Sequence, residues 1–281
     1  MTQSQLDVVK SMYDERSEQY DENDVHVRQA RDYIAWADLK NGENVLDLAC
    51  GTGLVAIGAK QVTGSSGCVV GVDISEGMLN VARRKAQAAG LDIAFFNHDV
   101  SDLTGLEFVP QASEDGGLLF DVITCASALI LLPDPLQAVK NWKAVLRPGR
   151  GRLITDVQTK DANVVMNIFS AVAPQVGETV PWHSHLWQSQ QALAALMADA
   201  GFRVERVFET EAYARAQYHL DAAAQLFDKA VSKAMFKDFG RAEIRERAKE
   251  LFVRKFAEVA GPKGIIEEET RYWVIVATKP G

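Results

Sequence analysis

The stretch Val45-Leu-Asp-Leu-Ala-Cys-Gly-Thr-Gly53 contains the clearest structural signal in the chain. Its first residues are apolar apart from Asp47, as in a short buried strand, and an amphipathic stretch begins directly after it at Leu54. Glycines between a strand and a helix let the backbone turn sharply and leave room for a ligand to lie against it. The stretch therefore predicts a strand, a ligand-binding loop and a helix, in that order.

The same alternation of short apolar runs and amphipathic stretches continues along the chain. The apolar runs, which predict strands, are residues 44–48, 68–72, 93–96, 120–124 and 151–155. The amphipathic stretches, which predict helices, are residues 54–62, 76–89 and 135–146. Strands that are apolar on both faces are typical of a parallel sheet covered by helices on each side. We therefore predict an α/β fold with a doubly wound sheet.

Beyond residue 156 the alternation becomes less regular. A helix is predicted over 189–200, an extended run over 202–213 and a strong strand over 272–277, while 220–259 carries apolar residues at helical spacing. We interpret the chain as one domain, 1–281. Its core comprises 43–213 and 265–281, with a helical lid at 1–42 and a helical insert at 214–264.

Composition excludes several classes of function. The 281 residues include 30 Lys and Arg against 38 Asp and Glu, a net charge of −8, which disfavours nucleic-acid binding because that binding depends on clustered cations. Three cysteines do not make a disulfide framework and suit a reducing compartment. The longest uncharged apolar stretch, 125–132, is too short to cross a bilayer, and 1–16 lacks the apolar part of a signal peptide. We expect a cytoplasmic protein, monomeric or homodimeric, that acts on small molecules.

Acidic residues at the predicted strand ends bear on the identity of the ligand. Asp73 lies twenty residues after Gly53, where a carboxylate can accept hydrogen bonds from both ribose hydroxyls. A dinucleotide fits this pattern, because 51–56 satisfies G-x-G-x-x-A, and so does S-adenosylmethionine. Asp47 would repel a pyrophosphate at the helix N-terminus, and Asp99 could accept a hydrogen bond from an adenine amino group. These two acids favour S-adenosylmethionine.

Five segments resemble class I S-adenosylmethionine-dependent methyltransferases, and within them the ubiquinone/menaquinone-biosynthesis group and its natural-product relatives. The segments are 13–21, 47–53, 71–79, 98–100 and 120–125. The resemblance implies a mostly parallel, seven-stranded Rossmann-like sheet with a helical N-terminal lid and a helical insert before the last strand. It also implies S-adenosylmethionine as the cofactor.

The resemblance assigns residues to the parts of the cofactor. Gly51 and Gly53 would line the methionine moiety, and Asp73 would bind the ribose. Asp99 and the backbone of Val100 would bind the adenine. Met78 would pack on the adenine face, although ordinary core packing explains it equally well. The full predicted cofactor set is Tyr20, Asp47, Ala49, Gly51, Gly53, Asp73, Ile74, Met78, Asp99, Val100, Cys125 and Ala126.

The acceptor side has fewer signals. His183 and His185 lie in an aromatic segment after the fifth strand and are candidate bases or orienting groups, unless they only satisfy loop backbone. A metal site is disfavoured because this His-x-His pair has no further ligands near it. Tyr13 and Tyr20, seven residues apart, could close over the cofactor or simply pack. Asp156 is a further candidate base.

We therefore predict methyl transfer from S-adenosylmethionine to a small, apolar or aromatic metabolite, with an O-, N-, S- or C-acceptor all open. One alternative is a cyclase or binding protein that holds S-adenosylmethionine without transferring its methyl group, since the donor site would look the same. An NAD-dependent oxidoreductase is the third possibility, supported by the glycine pattern alone.

Overall fold

A seven-stranded sheet runs through the protein, whose computed structural model describes residues 5–107, 119–182 and 189–281. The strand order is β3-β2-β1-β4-β5-β9-β6. All pairs from β3 to β5 are parallel, whereas β9 runs antiparallel to both β5 and β6. The predicted doubly wound, mostly parallel sheet is thus confirmed. The nine strands are β1 Val45–Leu48, β2 Val69–Asp73, β3 Ala94–Asn97, β4 Val122–Cys125, β5 Arg152–Gln158, β6 Arg203–Glu209, β7 Ala214–His219, β8 Ile265–Thr270 and β9 Tyr272–Thr278.

Burial along the strands follows their place in the sheet. The central strands β1, β2 and β4 are buried at every residue, because helices cover both faces. The edge strands β3 and β6 are exposed or half-buried along their lengths. The continuous apolar runs of the sequence therefore predicted the central strands most clearly.

The helices begin where side chains can satisfy free backbone amides. The Ser75 hydroxyl accepts from the Met78 amide at 3.1 Å, and the Asp134 carboxylate accepts from the Gln137 amide at 3.0 Å. These caps confirm the predicted starts at residues 76 and 135. The α-helices described are α1 Gln5–Arg16, α2 Asp24–Ala37, α3 Leu54–Thr63, α4 Glu76–Ala88, α5 Pro135–Val145, α6 Val164–Val172, α7 Gln190–Asp199, α8 Ala223–Val231 and α9 Arg245–Ala260.

The N-terminal segment is helical and lies over the carboxyl edge of the sheet. A 3-10 segment, Ser17–Glu22, joins α1 to α2. Its Asp21 carboxylate accepts from the Thr52 hydroxyl at 2.6 Å and pairs with Lys85 at 2.6 Å. The segment is therefore bonded to the glycine-containing loop after β1 and to α4.

The segment expected as a helical insert, 214–264, is not wholly helical. It opens with β7, which pairs antiparallel with β8 in a separate two-stranded sheet. Residues 265–270, assigned to the core from the sequence, therefore belong to this second sheet. The sequence indicates strand β7 only weakly, because its residues Ala-Arg-Ala-Gln-Tyr-His include none of the β-branched residues that favour strands.

The helices of the insert pack on α6, an element that the sequence did not predict. Phe169 of α6 lies at the centre of an aromatic cluster, with ring centroids 4.3 Å from Phe236, 4.8 Å from Phe239, 4.9 Å from Phe252 and 5.7 Å from Phe227. Across the described part of the chain, no helix is both long and apolar enough to span a membrane.

Candidate active site

The loop after β1 has a backbone that turns sharply at every second residue. Ala49, Gly51 and Gly53 have φ values of 52°, 54° and 78°, in the left-handed region. A Cβ atom at Gly53 would also approach the Ala82 Cβ to 3.0 Å. Glycine is therefore required at residue 53 for both conformation and packing, as the sequence pattern predicted.

Asp73, at the end of β2, is joined to this loop. Its Oδ2 accepts from the Gly51 amide and its Oδ1 from the Ser75 amide, both at 2.8 Å. The side chain is almost completely buried, and this burial raises the pKa of Asp73 to about 6 although the backbone hydrogen bonds oppose the shift. The carboxylate lies next to the turn that a nucleoside would contact.

Asp47, within β1, has one carboxylate oxygen without a protein partner. Its Oδ1 accepts from the Thr124 hydroxyl at 2.7 Å, whereas its buried Oδ2 has no hydrogen-bond partner among residues 5–107, 119–182 and 189–281. Burial raises the pKa of Asp47 to about 7, against the lowering effect of the Thr124 hydrogen bond. A buried acceptor without a partner is costly unless a ligand supplies the donor.

A cavity of about 650 Å³, called here the loop cavity, lies between the glycine-containing loop, the ends of β2 and β3, and the N-terminal segment. Asp47 lines a smaller side cavity of about 430 Å³, which shares Tyr20, Ala49, Gly51 and Ala126 with the loop cavity. The predicted cofactor residues that line the loop cavity are Tyr20, Ala49, Gly51, Asp73, Ile74, Asp99, Val100 and Ala126.

The other predicted residues lie elsewhere. Met78 and Cys125 are completely buried and line neither cavity. Gly53 is the N-cap residue of α3 and also lines neither cavity. Met78 thus has the core position that was the alternative interpretation. His183 and His185, the predicted catalytic residues, lie outside the described residues.

Asp156 is buried under the site and does not line these cavities. It accepts hydrogen bonds from the hydroxyl of Tyr33, the amide side chain of Gln29 at 3.3 Å and the backbone amide of Ser127 at 3.2 Å. Ser127 has φ 55°, so the carboxyl group supports a backbone conformation that is unfavourable for a non-glycine residue. Asp156 is therefore placed to support the loop after β4, not to contact a substrate directly.

A larger cavity of about 980 Å³, called here the roof cavity, adjoins the loop cavity and shares lining residues with it. Met166 and Met235 line it together with the rings of Tyr13 and Tyr272, and its described lining includes no carboxylate. Tyr20 and Ser127 line all three cavities. The lining of the roof cavity comes from segments that are far apart in the chain, including the N-terminal segment with Tyr13 and the insert with Met235.

His26 is a site residue that the sequence analysis missed. Its ring stacks on Tyr20, with centroids 4.0 Å apart and planes 8° from parallel, and it lines both the side and roof cavities. Burial, with a smaller effect from Arg16, lowers the pKa of His26 to about 4. The only local signal was its place in the first turn of α2, after the Asn23 cap.

Comparison with protein families gives an independent result. The family described as "Methyltransferase domain" matches residues 39–201. The "Ubiquinone/menaquinone biosynthesis C-methyltransferase UbiE" of Bdellovibrio bacteriovorus is 27% identical over 223 residues, covering 75% of this chain and 90% of that protein. The "Demethylmenaquinone methyltransferase" of Listeria welshimeri is 26% identical over 226 residues, covering 73% and 92%.

Solved structures share the fold at low sequence identity. A Bacillus halodurans protein described as a methyltransferase superposes with a TM-score of 0.57 at 20% identity, covering 90% of this chain and 99% of that one. The [4+2]-cyclase SpnF superposes with a TM-score of 0.58 at 16% identity, covering 99% and 97%. At these identities the likeness establishes the fold alone.

The site fits S-adenosylmethionine on its own chemistry. The unpartnered, buried Oδ2 of Asp47 suits a ligand ammonium group, and Asp73 at the loop suits ribose hydroxyls. An acid at Asp47 would disfavour the pyrophosphate of a dinucleotide. With the family match covering more than half of the chain, the protein belongs to the methyltransferase-domain family and is a class I S-adenosylmethionine-dependent methyltransferase.

Proposed function

We propose that the enzyme methylates a small, largely apolar or aromatic acceptor bound in the roof cavity. The observation that carries this proposal is the contact between the cavities. Tyr20 and Ser127 line both the loop cavity and the roof cavity, so molecules bound in the two would meet there. The two residues mark the point at which a methyl group would pass.

On the donor side, we assign each acid a separate role. Asp47 would bind the ammonium group, Asp73 the ribose hydroxyls, and Asp99 the adenine. When bound, S-adenosylmethionine supplies a methyl group already activated by a sulfonium. The protein has therefore to orient the two reactants and exclude water, and these effects account for most of the acceleration in such a reaction.

On the acceptor side, the methionine and aromatic part of the roof cavity supports the proposed substrate class, while Arg16, Gln158 and Asn163 offer polar groups beside it. Thioether side chains adapt to irregular apolar surfaces, and aromatic rings offer faces for a planar molecule. The absence of carboxylates from the described lining disfavours a cationic amine as the acceptor. Relatives named for ubiquinone and menaquinone biosynthesis support a ring-containing acceptor for this enzyme too.

We also propose that the protein works in the cytoplasm, as a monomer or homodimer, without nucleic acid as a substrate. Cys50, Cys68 and Cys125 are free thiols, which suits a reducing compartment. The net charge of −8 is unfavourable for binding to a phosphate backbone.

A substitution that fills the roof cavity tests this proposal. Met166→Trp should abolish methyl transfer from labelled S-adenosylmethionine to acceptors in a metabolite extract. It should leave the calorimetric affinity for S-adenosylhomocysteine unchanged, because Met166 lines only the roof cavity of the three. Val62→Trp is the matched control, since Val62 is exposed at the end of α3.

Two results would contradict the proposal. Binding of S-adenosylhomocysteine without transfer by the wild type to any compound in the extract would indicate a protein that holds the donor without using it. Full transfer by Met166→Trp would place the acceptor outside the roof cavity.

A further inference from the structure

His26 lies where the donor and acceptor cavities meet. Its imidazole lines the side cavity, which Asp47 also lines, and the roof cavity, which Met166 and Tyr272 line. The His26 ring stacks in parallel on the Tyr20 ring. This stacking fixes the plane of the imidazole and therefore the orientation of the edge that carries its two nitrogens.

The ring nitrogens of His26 are available for a ligand. Within the described ranges no hydrogen bond joins either ring nitrogen to another residue, although the ring is mostly withdrawn from solvent. A structural histidine would ordinarily use at least one nitrogen in such a bond. The ring of His26 instead packs on Tyr20, and none of the described residues forms a hydrogen bond with its nitrogens.

We infer that His26 is the base that removes the proton from a hydroxyl-bearing acceptor during methyl transfer. The acceptor oxygen forms a bond to the methyl carbon, and the carbon–sulfur bond breaks with its electron pair passing to sulfur. The hydroxyl proton passes to an imidazole nitrogen of His26 and then to water. This inference rests on the proposed function, because it needs an acceptor in the roof cavity.

The charged and titratable groups around His26 keep it neutral at physiological pH. Burial lowers its pKa most, the Arg16 guanidinium of α1 lowers it further, and the Asp21 carboxylate opposes them. The hydroxyl groups of Tyr20 and Tyr272 also face this region, and burial raises the pKa of each phenol. Both phenols therefore stay protonated, and His26 is the described cavity residue that can accept a proton.

Asp156, the other candidate base, is less suited to this step. Its carboxyl group is completely buried and accepts bonds from Tyr33, Gln29 and the Ser127 amide. Since it does not line the roof cavity, a proton could reach it only through these groups. The two amide groups are not proton carriers at neutral pH, and Tyr33, whose hydroxyl could relay a proton, is itself completely buried and does not line the roof cavity.

Two variants distinguish the chemical role of the His26 nitrogens from the packing role of its ring. His26→Phe keeps an aromatic ring on Tyr20 and removes both nitrogens, whereas His26→Asn removes the ring and keeps a polar group. His219→Asn is the control, since His219 is exposed on β7. The acceptor probes, compared at pH 8, are 4-methylphenol, which is un-ionised at that pH, and 4-nitrophenol, which is largely ionised.

With 4-methylphenol we expect both variants to lose about tenfold to 100-fold in kcat/KM, since the lowered pKa of His26 makes it a weaker base than one that titrates near neutrality, and the control to lose nothing. With 4-nitrophenol the loss should be about tenfold or less, because most of that acceptor has already lost its proton. Transfer to 4-methylphenol should be independent of pH between 6 and 8 in the wild type, and should increase with pH in His26→Phe.

Two binding measurements do not depend on turnover. The affinity for S-adenosylhomocysteine should be the same in the wild type and in His26→Phe, which keeps a ring stacked on Tyr20. In the wild-type complex with S-adenosylhomocysteine, the His26 ring should be neutral at pH 7 by NMR, and 4-methylphenol should shift its resonances.

Each contrary outcome has a distinct meaning. If the wild type methylates neither phenol, the hydroxyl-bearing acceptor is wrong. If the variants methylate both phenols as fast as the wild type, His26 is not the base, while the proposed function stands. Weakened S-adenosylhomocysteine binding in His26→Phe would overturn the inference by assigning His26 to the donor. A His26 ring that is protonated at pH 7 would also overturn it.

Discussion

Individual carboxyl groups in this site owe their properties to burial. Asp47 and Asp73 are buried beside the glycine-containing loop, where the effective dielectric constant is low. This burial raises the pKa of Asp47 to about 7 and that of Asp73 to about 6. Both groups therefore change charge near physiological pH, unlike acids on the surface. The charge that Asp47 offers to a donor's ammonium group depends on pH in the same range.

The affinity for S-adenosylhomocysteine should consequently rise with pH. Asp47 is protonated below about pH 7 and carries the charge that pairs with an ammonium group only above it. Calorimetry between pH 6 and 8 should show the affinity increasing by about tenfold in total, mostly below pH 7, and levelling off above it.

Asp47→Asn should bind more weakly at pH 8 and lose most of this dependence, while Asp92→Asn, at an exposed residue before β3, should behave as the wild type. An unchanged slope in Asp47→Asn would exclude this residue as the source of the pH dependence.

At the scale of elements, the N-terminal helices are attached to the nucleotide site through carboxylates. The Asp14 carboxylate of α1 accepts from the Ser75 hydroxyl at 2.5 Å and from the Gly77 amide at 3.1 Å, at the N-terminus of α4. An acid is favourable at a helix N-terminus because free amides and the helix dipole both attract it. Asp21 makes the second attachment, to Thr52 and Lys85. The glycine-containing loop and α4 are thus linked to the segment that carries Tyr20 and His26.

Removing both attachments should loosen this segment. We expect Asp14→Ala combined with Asp21→Ala to weaken S-adenosylhomocysteine binding by about tenfold, since each charge-assisted bond contributes roughly 1 kcal/mol or more. Limited proteolysis should then cut before residue 43 faster than in the wild type.

Asp24→Ala is the matched control, because Asp24 forms an exposed pair with Arg28 within α2. Equal proteolysis rates for all three proteins would mean that other contacts hold the segment.

The sequence predicted the elements to different extents, for physical reasons. The central strands and the helices capped by Ser75 and Asp134 were predictable, because burial on both faces and local amide capping leave direct traces in the sequence. The strand β7 was not, because Ala, Arg and Gln are poor indicators of a strand that is held by its pairing with β8.

At the scale of the whole molecule, the site contains a buried carboxyl group that opposes folding at neutral pH. Burial raises the pKa of Asp156 to about 7, against about 4 in an unfolded chain. The folded protein therefore binds the proton more tightly, so this group's contribution to stability decreases as pH rises from about 4 to about 7 and is constant above that range.

Asp156→Asn should remove this contribution. We compare the free energies of unfolding of the variant and the wild type. The variant's advantage should increase by up to about 1.4 kcal/mol per pH unit between pH 5 and 7 and level off above pH 7. Chemical denaturation at pH 5, 6, 7 and 8 measures this difference.

Asp92→Asn again serves as the exposed control for this experiment. A difference between variant and wild type that is independent of pH would show that Asp156 is ionised throughout the range in the folded protein.

The site as a whole was only half predictable from the sequence. The positions of Asp47, Asp73 and Asp99, the residues proposed to bind the donor, follow from one rule, that parallel strands bring their carboxyl ends to one edge. His26 and Ser127 follow from no local pattern, and Asp156, predicted from the sequence as a candidate base, instead supports the loop after β4. Their positions depend on how α2 and the N-terminal segment lie across the sheet, which only tertiary packing determines.

The position of β9 has a consequence for how the sheet is assembled during synthesis. β6 joins the sheet only through β9, and β9 also covers the free edge of β5. A ribosome must therefore make the whole segment between β6 and β9 before either edge can be covered. Until then the nascent chain presents two unpaired strand edges, which are prone to intermolecular pairing. A chain that stops before residue 272 would expose these edges permanently, and aggregation would be its expected fate.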